Sequence, residues 1–93
     1  MVIGILSVDL RIPGNRSLKG KRMVLKSIKA RLRNRFNVAV AEVGAHARWD
    51  RAELGMSTVS TDTAHAHSLL THVVNVIEGV RAVDLLDYTI EML

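Results

Sequence analysis

Nine of the thirteen basic residues fall between Arg16 and Arg35, and no acidic residue occurs from position 10 to position 41. Placed on an α-helix at about 100° per residue, Lys19, Arg22, Lys26, Lys29 and Arg33 share one narrow strip about 20 Å long. Arg16 and Arg31 flank it. A solvated helix face usually mixes signs, because Glu–Lys pairs four residues apart stabilise it. A row of like charges repels itself, and a polyanion reverses that cost. The chemistry on offer is phosphate neutralisation with release of counterions.

Other chemistry finds little support. Asp9 with Arg11, and Asp84 with Asp87, are conceivable acid–base pairs, but charges at strand ends are ordinarily solvated. Glycine-rich phosphate loops, nucleophile elbows and paired carboxylates are missing. Pro13-Gly14-Asn15-Arg16-Ser17 offers one glycine and one arginine, too few to cradle an anion as an acylphosphatase loop does. The expectation is no catalytic residue, hence a protein that is not an enzyme. Histidines 46, 65, 67 and 72 lack the spacing of metal ligands, and there is no cysteine. No metal and no cofactor are expected. Trp49, between Arg48 and Arg51, suits either stacking on a base or packing at an interface.

The same basic segment carries an apolar stripe of Leu18, Val24, Leu25, Ile28 and Leu32, so its cations project from a helix docked on a core. Ser17 is suited to cap that helix, and Asn34 to Asn37 end it around Phe36. Ahead of it, Val2, Gly4, Leu6, Val8, Leu10 and Ile12 alternate as the inner face of a strand. Strands are expected again over Val38–Val43, Ala52–Ser60 and Val83–Met92. In the last of these Leu86, Tyr88, Ile90 and Met92 should point inward. A second helix should begin near Asp62, capped by Ser60 or Thr61, with Ala66, Leu69, Val73 and Ile77 as its core stripe and Gly79 as its stop.

The order β-α-β-β-α-β, with short right-handed connections, predicts an α+β ferredoxin-like sandwich: two helices on one face of a four-stranded antiparallel sheet. Residues 1–93 suffice for one domain. The opposite sheet face would leave Ile3, Ile5 and Leu85 partly uncovered, which suggests a homodimer through that face, with Trp49 a further interface candidate. Lack of cysteine and of long apolar runs predicts a cytoplasmic protein with no membrane segment. Charge is polarised: residues 1–36 carry ten bases and one acid, +9, and residues 37–93 three bases and eight acids, −5. With three aromatics, no stacking pair on a strand and no Gly-x-x-Gly loop, contact with RNA should be to backbone and shape.

Ser17-Leu-Lys-Gly-Lys-Arg22, Arg31-Leu-Arg-Asn-Arg-Phe-Asn-Val38, Ala41-Glu-Val43, Trp49-x-Arg-Ala-x-Leu-Gly55, Ser60-x-Asp62 and Asp87-Tyr88 occur in an order that resembles the YlxP-like family of small bacterial proteins. Gly20 stands where that pattern more often has an acid. The resemblance implies a ferredoxin-like fold, no catalytic residues to carry over, and genes neighbouring ribosome-maturation and translation-initiation factors. The expected function is a non-enzymatic module that binds RNA or the ribosome. The alternative is a sheet-mediated homodimer that regulates or assembles by docking an acidic protein or a small ligand.

Overall fold

The computed structural model describes residues 1–93. Its elements are β1 (Val2–Arg11), α1 (Leu18–Arg35), β2 (Ala39–Gly44), β3 (Arg51–Ser60), α2 (Thr63–Glu78) and β4 (Asp84–Met92). The four strands form one antiparallel sheet in the order β2-β3-β1-β4. This is the ferredoxin-like α+β arrangement. Helix α1 packs over β2 and α2 over β1 and β4, so both helices cover one face.

Local chemistry sets the boundaries. Gly14 turns the chain at φ +73°, where a side chain would be strained. Ser17 Oγ then accepts the Gly20 N–H at 3.0 Å, satisfying one orphan donor of α1. The Phe36 N–H closes the helix on the Leu32 carbonyl at 2.8 Å. Helix α2 is capped later than the pattern suggested: Asp62, not Ser60 or Thr61, accepts the Ala64 N–H. Ser60 instead accepts the Asp62 N–H, steadying the cap from outside.

The alternating residues Leu6, Val8 and Leu10 of β1 are buried with Leu54 and Met56 of β3, Leu25, Ile28 and Leu32 of α1, and Leu70, Val73 and Ile77 of α2. Burying one such side chain is worth about 1.5–3 kcal/mol. Gly4 is the small member of the β1 row because α2 comes close there. A Cβ at Gly4 would meet Leu70 Cδ1 at 2.9 Å.

Three packing expectations need correction. On α2, Leu70 and Val74 join Ala66, Val73 and Ile77 in the buried set, and Leu69 is only partly covered. On α1, Leu18 is exposed, and Lys21 occupies the buried stripe instead. On β4, the register slips between Asp9 and Leu10: Tyr88 faces Val8 and Asp87 faces Asp9, but Leu85 faces Leu10. One extra residue, Leu86, is bulged out, which flips the start of the strand. Leu85 therefore packs against the core rather than on the open face, and Leu86 is exposed. Tyr88, opposite Val8, is half exposed and lines a shallow depression with Glu78 at the end of α2.

Candidate nucleic-acid interface

Lys19, Arg22, Lys26, Lys29 and Arg33 share one flank of α1 at their helical spacing. Lys19, Arg22 and Lys26 are exposed and Lys29 is half-buried. The molecule's ion pairs are Arg11–Asp84, Lys21–Glu42 and Arg48–Asp50, so none of these four cations has an acidic partner. Arg33 differs from the rest of the row: its Nη2 donates to the Val40 carbonyl of β2 at 2.8 Å. That bond places this flank of α1 beside β2, and makes Arg33 partly a structural residue. Arg16 is exposed just ahead of the helix. Arg31 is not brought into the row. It points to the other flank and lines a shallow groove with Arg35, His72 and Asn75 between α1 and α2.

Lys21 was missed as a structural residue by charge counting, although its spacing reveals it. It lies four, seven and eleven residues before Leu25, Ile28 and Leu32, on their face of the helix. Its side chain is only 2% exposed. The ammonium donates to the carbonyls of Ala45 (2.9 Å), Arg48 (2.6 Å) and Arg51 (3.1 Å), with His46 O at 3.4 Å. Three N–H donors thus serve the inner wall of the β2–β3 loop. Glu42 Oε2 lies 2.8 Å from Nζ but outside hydrogen-bonding geometry, so it acts by charge. A lysine this buried persists only with such compensation.

A second tie holds the same loop. Asn15 Nδ2 donates to Ser17 O at 2.9 Å and to Trp49 O at 2.6 Å. A Cβ on Gly20 would fall on Asn15 Oδ1, which gives this position a physical reason to be glycine. Ala45 opens the loop in the left-handed region at φ 58°. Arg48 bonds Asp50 at 3.2 Å and, chiefly by that hydrogen bond, holds the Asp50 carboxyl below its ordinary value. Trp49 thus sits on an anchored loop beside the N-terminus of α1, the residue 53% exposed.

The open face of the sheet divides into two halves. Ile5, Ala39, Ala41 and Gly55 line a shallow apolar depression, with Ile3 beyond it on β1. Toward the other end, Asp9 stands directly between Glu53 of β3 and Asp87 of β4. Like charges across strands repel. No group of three His, Asp or Glu side chains is placed to hold a metal ion, and no helix is long and apolar enough to cross a membrane.

A four-stranded ferredoxin-like sheet carrying a cationic helix defines a small α+β protein. The chain belongs to the family described as "Protein of unknown function (DUF503)", which it matches over residues 3–90. It is 35% identical over 78 residues to "Uncharacterized protein YlxP" of Bacillus subtilis (strain 168), covering 84% of this chain and 85% of that protein.

Proposed function

We propose that this protein is a non-enzymatic RNA-binding module that docks on structured RNA, ribosomal RNA foremost, through α1. The observation that carries the reading is the row Lys19, Arg22, Lys26 and Lys29 on one flank, without acidic partners, the first three exposed and Lys29 half-buried. Intramolecular pairing would have satisfied these charges on an ordinary surface helix. Contacts of this kind position a protein on phosphates without reading bases. The ribosome is the favoured source of RNA because of the gene neighbourhood that the family resemblance implies.

The test is a salt titration against a structured RNA, with wild type beside Lys26→Glu/Lys29→Glu. Affinity should fall steeply with salt, with a log–log slope of about −0.9 per phosphate, the duplex DNA value. The double variant should weaken every RNA by a similar factor and flatten the slope by about 1 for each lysine. Equal binding by both proteins at physiological salt, with unchanged thermal stability, rejects the reading.

A second reading is favoured by the apolar depression around Ile5. Two copies related by a two-fold axis near Ile5 would bury their apolar halves and hold the Asp9 rows at opposite ends. This reading is a homodimer assembled through the open face, leaving α1 free for an acidic partner.

A further inference from the structure

The β2–β3 loop is short and surface-exposed, and such connections are ordinarily held by their own turn geometry. Here a buried ammonium reaches up from α1 to the loop carbonyls of Ala45 and Arg48 and to that of Arg51 where β3 begins, and Asn15 fastens the carbonyl of Trp49. Enclosing a lysine is a costly way to secure a loop. The large apolar side chain that the anchored loop presents to solvent, beside exposed His46 and Arg48, is Trp49, half uncovered. A ring with two χ angles on a fixed backbone loses little freedom when it is stacked.

The placement relative to α1 is equally specific. Asn15 bonds both Ser17, the residue that caps the helix, and Trp49. The backbone of Trp49 is therefore tied to the end of the molecule where Arg16 and Lys19 begin the cationic row. The row then runs away from it for about 20 Å.

We infer that Trp49 is a stacking platform for one unpaired RNA base, so that the preferred substrate is a duplex flanked by a single strand. The inference rests on the RNA-binding reading of α1 given above. Lysines of the row follow the phosphates of the paired segment, while the indole takes the first base beyond it. Stacking tolerates any base because each has a π face, so the site selects an RNA junction rather than a sequence. Lys21 acts here as a positioning residue, since it holds the loop and touches no ligand.

Trp49 is the only tryptophan, which makes its fluorescence a direct probe. The test compares a blunt RNA hairpin with the same hairpin carrying a short single-stranded overhang. The expected result is quenching of Trp49 by the overhang RNA and roughly tenfold tighter binding of it than of the blunt form. Trp49→Ala should remove that preference and leave blunt-hairpin affinity unchanged, and Trp49→Phe should restore most of it. If Trp49→Ala binds both RNAs as wild type does while Lys26→Glu/Lys29→Glu weakens both, stacking is overturned and RNA binding by α1 stands. Equal weakening of both RNAs by Trp49→Ala also overturns it. A protein that binds neither RNA overturns both readings. Emission that changes with protein concentration alone, and not with RNA, assigns Trp49 to contact between copies and overturns stacking.

Discussion

Lys21 Nζ and Glu42 Oε2 lie 2.8 Å apart in the cleft between α1 and β2, the ammonium almost wholly enclosed and the carboxylate one-fifth exposed. Because the ammonium also serves the loop carbonyls, the two partners are not equivalent. Removing the lysine leaves several acceptors and a carboxylate uncompensated. Removing the carboxylate charge leaves the ammonium still bonded.

The first prediction follows from that asymmetry. Lys21→Met should lower the unfolding free energy by about 3–5 kcal/mol, the range for breaking a buried pair. Glu42→Gln should cost only about 1 kcal/mol, the upper range for an ion pair open to solvent on one side. Urea denaturation of the two variants checks the order. In Lys21→Met, Trp49 emission should also shift before global unfolding, as the loop loosens.

Gly20→Ala sets two effects against each other. Alanine favours the helix by up to about 1 kcal/mol. Its Cβ displaces Asn15, whose two bonds are worth about 1 kcal/mol each. The net change should stay within about 1 kcal/mol. The coupling is more informative than the net. Asn15→Ala should destabilise the wild type and do almost nothing in the Gly20→Ala background, as a double-mutant cycle by thermal denaturation would show.

Asp50 gives a pH prediction with a defined sign. Its folded carboxyl lies below the ordinary value of 3.8, chiefly through the Arg48 hydrogen bond. A depressed folded pKa contributes stability that is complete above the unfolded value and fades as pH falls through the folded one. The pair is exposed, so the effect should be small and confined to pH below about 4. Titration of the Asp50 carboxyl resonance should give a low midpoint that returns toward the ordinary value in Arg48→Ala.

Self-association is testable on its own. Light scattering at high micromolar concentration should show a dimer, and Ile5→Lys should raise its dissociation constant by roughly tenfold or more through an unpaired charge at the contact. A strict monomer at that concentration rejects the face-to-face dimer and leaves the fold untouched.

Much of the fold was legible because hydrophobic period and turn chemistry agree in each element. Leu6, Val8 and Leu10 alternate cleanly, and Ser17 caps where a hydroxyl should. The bulge at Leu86 was not legible, since a one-residue slip leaves a strand's composition unchanged and shows only against its partner. At the candidate site, the row from Lys19 to Lys29 could be read from spacing alone. Spacing also puts Lys21 on the core face, but not the carbonyls it serves, and Arg33's bond to Val40 shows in no pattern, because these partners lie on β2 or the chain after it, brought close only by the crossover. Arg31, placed beside the row from sequence, is carried by helical rotation to the groove between α1 and α2.

The bond from Arg33 to Val40 has a consequence for how copies of the chain can meet. Strand β2 is one margin of the sheet, and a free margin is a template for adding another strand. The guanidinium occupies a carbonyl of that template and brings a charge to it. The opposite margin, β4, is interrupted by the extra residue at Leu86. With both margins obstructed, polymerisation by strand addition is disfavoured, and contacts between copies are directed to faces rather than edges. Arg33→Ala would thus unblock a margin as well as remove a cation, so aggregation of that variant would report the lost guard and not the RNA site.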